Sequence, residues 1–291
     1  MKLSELIESI PFDKQDYKAL KQIIAYQLDM SFHQIHSQNP KLSEKDIQNI
    51  QNDYDLYKNQ NKPLSYIIQE TDFYNHKFKV NQNTLIPRPE SETFIDIIKT
   101  KLKNSSNKYH IIDVGTGSWA LGISAILNSP NSSSLKQCAL LDISSKALSI
   151  AKVNYNRLIS NKPNLPKIYI QKSNLLERYF ENISKFPLLN NIIIANLPYI
   201  SPKGYEKLPD KIKKREPPEA LLAWKNWLKY YKQLINQILE HNTNKNYELL
   251  LEVTPKQIKL LKQKYNDQNI NFTTHSTCHF NIKILEVQIK L

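Results

Sequence analysis

The sequence predicts an α/β protein: a doubly wound, mostly parallel sheet, preceded by a small helical domain and joined to it by a β-hairpin. Three observations lead there. From Tyr109 onward apolar strand-length runs alternate with helix-period stretches, as βαβ units do. One of those runs ends in a tight Gly-x-Gly turn. The segment before Thr71 contains no glycine and repeats its apolar positions at helical spacing. With 40% hydrophobic and 10% aromatic content, the 291 residues can bury real cores, and two domains are expected.

The helical domain comes first. Leu20, Ile23, Ile24 and Leu28 share one face, as do Ile47, Ile50, Tyr54 and Tyr57, and Ser43 before Glu44 and Asp46 reads as a helix start. Between Phe73 and Ile86 the pattern turns aromatic and branched, broken at Asn75-His76 and Asn81-Gln82-Asn83, which predicts the hairpin. Pro87 and Pro89 then stiffen the chain, and a helical run follows from Ser91 and Glu92 through Ile98 and Leu102. Strands are expected at 109–114, 137–142, 167–171, 191–195, 247–253 and 281–290, with helices at 119–128, 144–159, 222–240 and 255–266. A further strand near Ile270–Thr273 precedes the last one without a helix between, so those two should pair antiparallel. The Asn/Ser stretches at 104–107 and 128–134 read as loops. The expected domains are 1–72 helical, 73–88 hairpin linker and 89–291 sheet.

Composition excludes some functions. No run reaches the roughly 18 apolar residues that span a bilayer, and the amino terminus has no signal-peptide core, so no membrane association is expected. Two cysteines, Cys138 and Cys278, make no disulfide framework and fit a reducing cytoplasm. His275, Cys278 and His279 lie close together but lack the partners of a tetrahedral site, so no metal is expected. Lys plus Arg exceed Asp plus Glu by 40 to 27, a net charge of +13. The lysines are scattered, and Lys, Asn and Ile are abundant throughout, so the charge reads as compositional bias and not as a polyanion site.

Ile111-Ile112-Asp113-Val114 leads into Gly115-Thr116-Gly117-Ser118-Trp119 and then a helical run from Ala120. Glycines at such a turn let the backbone approach a ligand and expose amides at the helix start, as in a nucleotide-type site. Asp142 ends the next strand 25 residues after Gly117, where a carboxylate meets ribose hydroxyls; a cap for the helix from Ser144 is the competing role. Asn174 and Leu175 follow the third strand, where an amide can meet an adenine rim and an apolar side chain cover its face; a solvent-exposed loop is the competing role. Ala120 stands where a nicotinamide site wants a third glycine, and the loop looks more like that of S-adenosylmethionine enzymes.

Asn196-Leu197-Pro198-Tyr199 follows the apolar run Ile192–Ala195. An amide nitrogen is a poor nucleophile toward a sulfonium methyl because its lone pair is delocalised. An Asn side-chain oxygen and a main-chain carbonyl can each accept one N–H of a planar NH₂ group, aiming the nitrogen and offsetting developing positive charge. Asn196 supplies the first acceptor and the Leu197 carbonyl the second; Tyr199 offers a packing surface and Pro198 keeps the turn stiff.

These residues resemble the protein-glutamine N5-methyltransferases that modify peptide chain release factors. The likeness covers most of the chain: Pro63–Ile68 with Phe73-Tyr74, the signature Thr84-Leu85-Ile86-Pro87-Arg88-Pro89-Glu90-Ser91-Glu92, the loop from Asp113 to Ala120, Asn196–Tyr199, and the Glu-Pro-Pro-Glu-Ala-Leu run from Glu216. The resemblance implies a seven-stranded class I methyltransferase domain, and an amino-terminal domain that recognises the release factor. It further implies that residues 115–119, Asp142 and Leu175 hold S-adenosylmethionine, while Asn196–Tyr199 receive the glutamine of a Gly-Gly-Gln loop, Asn196 touching both ligands. Arg88, Glu90, Glu92 and Glu216 would support the site or form surface ion pairs. A monomer is expected, with no direct nucleic-acid binding.

The chain departs from the family pattern in places. Trp119 replaces a loop glycine, so its indole must turn away from the cofactor or obstruct it; Leu197 replaces a proline and Asn174 an aspartate. The turn at 242–246 lacks glycine, and an arginine near the last strand is missing. Two rival readings stand beside the glutamine one: an adenine N6 amino-methyltransferase acting on DNA or RNA, whose target is also a planar amine, and a catalytically weakened scaffold that binds a translation factor.

Overall fold

The computed structural model describes all residues except 12, 104–105, 130–133, 184–189, 224–226, 242–245, 267 and 291. The chain forms two compact units, Met1–Glu70 with Pro209–Arg215, and Thr71–Leu208 with Glu216–Leu291.

The first unit is helical: α1 (Leu3–Ser9), α2 (Lys14–Leu28), α3 (Phe32–Gln38), α4 (Glu44–Lys58) and α5 (Leu64–Ile67). Leu20, Ile23 and Ile24 of α2 and Ile50 of α4 are fully buried in one core, which is the stripe the sequence spacing predicts. Ser43 starts α4. Its hydroxyl accepts from the Asp46 amide, and the Asp46 carboxylate accepts from the Ser43 amide, satisfying two donors that a helix start leaves open.

In the second unit, β1 (Glu70–Phe73) and β2 (His76–Lys79) form the hairpin, with Tyr74 and Asn75 at its turn, both at positive φ (46° and 62°). It therefore begins ahead of the 73–86 stretch in which it was expected and ends within it, at Lys79; Thr84 closes a separate turn by donating its amide to the Asn81 carbonyl. After a 3-10 turn (Pro89–Glu92) come α6 (Thr93–Lys103), β3 (Tyr109–Val114), α7 (Ala120–Leu127), β4 (Leu135–Asp142), α8 (Ser145–Leu158), β5 (Lys167–Lys172), α9 (Glu177–Glu181) and β6 (Asn190–Ala195). The short helices α10 (Pro202–Glu206), α11 (Asp210–Lys213) and α12 (Pro218–Leu221) follow, of which α11 belongs to the first unit. The chain ends with α13 (Lys229–Glu240), β7 (Tyr247–Val253), α14 (Pro255–Lys264), β8 (Ile270–Ser276) and β9 (Lys283–Ile289).

Seven strands make one sheet in the order β5-β4-β3-β6-β7-β9-β8. β9 alone runs antiparallel to both its neighbours, as the missing helix before it requires. Both faces are covered. Ile112, Val114, Ile193 and Ala195 pack on one side with Leu234 and Ile235 of α13, while Ile111, Ile192 and Ile194 pack on the other with α6 and α7. Burial on both faces explains the unbroken apolar runs. The expected helix 222–240 is corrected: α13 begins only at Lys229, Leu222 bridges to Ile200, and Trp224 lies outside the described residues. Trp227 precedes α13, and its carbonyl accepts from Gln257. The expected loops at 104–107 and 128–134 and the 242–246 turn lie partly outside the described residues.

The connections reverse direction at β3. The chain steps outward through β4 and β5, then returns to β6 on the other side, leaving a switch point between β3 and β6. Their register pairs Val114 with Ala195, so both strands deliver their following loops to the same crevice.

Candidate active site

A cavity of about 310 Å³ opens at that switch point. Its wall includes Gly115, Thr116, Gly117 and Ser118 after β3, Asp142 after β4, Asn174 and Leu175 after β5, and Asn196, Leu197 and Pro198 after β6. Of the residues assigned to cofactor or acceptor, Trp119 and Tyr199 lie off this wall, as do the supporting positions Arg88, Glu90, Glu92 and Glu216.

The glycine loop is held from beneath. The Gly115 and Thr116 amides donate to the Leu141 carbonyl at 2.8 and 3.1 Å. Buried Asp113 accepts from the Thr116 hydroxyl at 2.8 Å and the Gly122 amide at 3.1 Å, and burial pushes its carboxyl up to about 7. Asn154, fully buried on α8, donates to the Ser118 carbonyl and exchanges hydrogen bonds with the Lys79 backbone, tying loop to hairpin. Gly115 and Gly117 both take positive φ (71° and 55°). A Cβ on Gly115 would sit 2.9 Å from a Leu197 methyl, whereas one on Gly117 would meet no protein atom within 4 Å. The loop thus presents bare backbone to the cavity, which fits a ligand that approaches main-chain amides.

Trp119 caps α7 in the left-handed region (φ 66°) and is fully buried. Its indole stacks on Tyr155, ring centroids 5.8 Å apart, on the side of the loop away from the cavity. Gly122 makes the room, because a Cβ there would lie 1.9 Å from the indole nitrogen. The side chain therefore belongs to the core: of the two directions the sequence left open, the indole turns away from the cavity, and it is not part of the wall on which residues 115–119 were expected.

Asp142 accepts from the Gly117 amide at 2.9 Å and the Ser144 amide at 2.8 Å, while burial raises its carboxyl above the ordinary range. The capping role falls to Ser144, whose hydroxyl accepts from the Ala147 amide. Asp142 is left at the cavity. Asn174 donates to Glu177 at 2.6 Å, and Leu175 takes positive φ (52°) with its carbonyl bound by the Ser173 hydroxyl.

At the end of β6 the Asn196 amide nitrogen donates to the Ser91 hydroxyl at 3.1 Å. The Leu197 carbonyl lies 3.2 Å from the buried Tyr231 hydroxyl, which also reaches the Glu252 carbonyl at 2.5 Å. One proton serves one acceptor at a time, and the shorter contact takes it. Tyr199 turns its hydroxyl to the Glu252 carboxylate at 3.3 Å, so it braces the turn from the side. Glu252 is 1% exposed, and burial pushes it up to about 7. Tyr231 and Glu252 escaped the sequence reading, and Ser91 entered it only within the Thr84–Glu92 signature and as a helix start. Glu252 did carry a signal, as a lone charge in the apolar run Leu249–Val253.

Of the four supporting positions, Arg88 pairs with buried Glu216 at 2.5 Å, and Glu92 accepts from the Tyr74 amide at 2.7 Å. Glu90 lies close enough to raise the Glu252 and Tyr199 groups electrostatically.

No family model matches the chain. Among curated proteins it is similar to the release factor glutamine methyltransferase of Mycoplasma mycoides subsp. mycoides SC, 38% identical over 214 residues, 73% of this chain and 70% of that protein. It is also similar to the release factor glutamine methyltransferase of Flavobacterium psychrophilum, 31% identical over 289 residues, 96% of this chain and 94% of that one. Among solved structures, the N-terminal domain of human METTL16 in complex with SAH superposes with a TM-score of 0.53 at 15% identity, covering 96% of this chain and 98% of that one. The human methyltransferase 10 domain containing protein gives 0.51 at 16%, covering 74% and 89%. At such identities the structures speak for the fold alone.

Proposed function

The chain belongs to the release factor glutamine methyltransferase family, and we propose that it methylates the side-chain nitrogen (N5) of the glutamine in a release factor's Gly-Gly-Gln loop. S-adenosylmethionine, when bound, supplies an electrophilic methyl on a sulfonium. The Gly115–Ser118 backbone and the Asp142 carboxylate would hold it, the latter by accepting from ribose hydroxyls, with Asn174 at the adenine rim and Leu175 over its face. Asn196 and the Leu197 carbonyl do the work on the acceptor. Each takes one N–H of the carboxamide, which fixes the plane of the amide and leaves its nitrogen directed at the donor side of the cavity. Both oxygens also offset the positive charge that grows on the nitrogen, and the surplus proton departs after transfer. Pro198 keeps this turn stiff, and Tyr199 braces it.

One observation carries this reading. Asn196 and Leu197 line the same cavity as the bare Gly115–Gly117 backbone, at the ends of adjacent strands. Helical residues 1–72 are assigned recognition of the release factor, and 73–88 the joint. The protein is taken to act as a monomer without nucleic-acid binding, and in the cytoplasm, whose reducing milieu suits the unpaired thiols of Cys138 and Cys278. No helix among the described residues is long and apolar enough to cross a membrane.

A methylation assay offering release factor and nucleic acid side by side tests the proposal. Label on the release factor supports it; label on adenine would replace it with the amine reading. Calorimetry that finds no S-adenosylmethionine uptake while the release factor still binds would leave only a scaffold.

A further inference from the structure

We propose that Ser91 and Glu252 form a positioning relay that fixes which end of the Asn196 amide faces the acceptor. The inference rests on Asn196 being the carboxamide acceptor and adds the question of what turns its oxygen the right way. Left alone, an Asn amide can present oxygen or nitrogen to the cavity, and only the oxygen accepts an N–H.

Ser91, 3% exposed in the 3-10 turn, donates its hydroxyl proton to a Glu252 carboxylate oxygen at 2.5 Å. The serine has no second proton. Toward Asn196 it therefore offers only lone pairs, and the Asn196 nitrogen donates to it at 3.1 Å. With nitrogen bound to Ser91, the amide oxygen must occupy the opposite position. Reversing the amide would set two acceptors against each other unless Ser91 abandoned Glu252. A carboxylate accepts only, so it holds the serine proton and with it the whole sequence of bonds.

The rest of the surroundings keep Glu252 in that role. Tyr199 donates to its other carboxylate oxygen at 3.3 Å. The Tyr231 hydroxyl binds its main-chain carbonyl at 2.5 Å, fixing the end of β7. Glu90 opposes its ionisation, whereas the hydrogen bonds from Ser91, Tyr199 and Asn196 favour it; Arg88 and Glu90 also face Tyr199. Burial dominates and brings the carboxyl to about 7. A protonated Glu252 would donate to Ser91 and free the serine proton for the Asn196 oxygen, turning the amide the wrong way. Turnover should then fall as pH drops through about 7.

Steady-state kinetics on the full chain test this with Ser91→Ala, Ser91→Thr, Glu252→Gln and Asn196→Ala, alongside calorimetric S-adenosylmethionine affinity and thermal melts. Ser91→Ala and Glu252→Gln are expected to lower kcat about 10- to 100-fold, the cost of a misdirected reacting group. S-adenosylmethionine Kd should stay within about twofold, and the double variant should be no worse than the poorer single, as residues acting in one relay behave. Ser91→Thr keeps the hydroxyl and should retain most activity. Glu252→Gln should lose the wild-type rise in kcat near pH 7. If Glu252→Gln does not fold, the Ser91→Ala and Ser91→Thr pair decides. Full kcat in Ser91→Ala overturns the relay, as does equal loss in Ser91→Ala and Ser91→Thr. An active Asn196→Ala variant would instead overturn the reading of the site itself.

Discussion

Replacing Trp119 with glycine restores the loop residue that the family pattern has at this position, yet the structure predicts a less stable protein. The indole is fully buried and stacked on Tyr155. Truncating a buried tryptophan costs about 3–5 kcal/mol. The residue it replaces sits at φ 66°, and glycine relieves about 1–2 kcal/mol of that left-handed strain. The net loss is about 1–4 kcal/mol, which at about 2–4 °C per kcal/mol lowers Tm by about 2–16 °C. Gly122→Ala should also destabilise, because its Cβ would fall 1.9 Å from the indole nitrogen and 3.0 Å from an Asp113 oxygen. In the Trp119→Gly background the larger clash disappears, and alanine gains about 1 kcal/mol of helix propensity over glycine. Thermal melts of the four proteins form a double-mutant cycle that should be strongly non-additive. Calorimetry on folded Trp119→Gly should give an unchanged S-adenosylmethionine Kd, since the indole is off the cavity wall. Additive melts, or a weakened Kd in the folded variant, would refute the argument that Trp119 and Gly122 exchange space behind the loop.

Other perturbations separate binding from stability. Gly117→Ala should cost about 1–2 kcal/mol of stability through its positive φ, yet lower S-adenosylmethionine affinity at least tenfold in calorimetry, because its Cβ enters the cavity. Arg88→Ala strands the buried Glu216 carboxylate and should cost about 3 kcal/mol in urea unfolding; a loss below about 1 kcal/mol would mark the pair as an ordinary surface bridge. Burial raises Asp113 from 3.8 and Glu252 from 4.5, each to about 7. Between those values the folded state holds more protons than the unfolded one, so stability falls as pH rises from about 5 to 7 and levels off above. Urea unfolding at both ends of that window should show the decline, with Asp113→Asn flattening it; a rise would contradict the assigned burial.

The sheet was legible because its strands, covered on both faces, are written as apolar runs such as Ile192–Ala195. The site was legible for a related reason: Gly-Thr-Gly and Asn-Leu-Pro-Tyr each follow such a run, and strand adjacency brings them together. The hairpin's turn at Asn75 was legible, but its span was misread because the first strand opens on the polar run Glu70-Thr71-Asp72 and the break at Asn81-Gln82-Asn83 belongs to a separate turn. The direction of the Trp119 indole stayed open because it depends on Gly122, three residues on, and a helical glycine reads only as a weak helix former. The Ser91–Glu252–Asn196 contacts join residues more than a hundred positions apart in two of their three steps along the chain, and only the fold reveals them.

Mass spectrometry of a release factor's Gly-Gly-Gln peptide, after incubation with S-adenosylmethionine and either wild-type protein or Asn196→Ala, tests the central claim most directly. Wild type should add one methyl to the glutamine side chain, and Asn196→Ala should add none while melting near the wild-type temperature. An unmodified peptide with wild type, or equal methylation by a folded Asn196→Ala, would contradict the account.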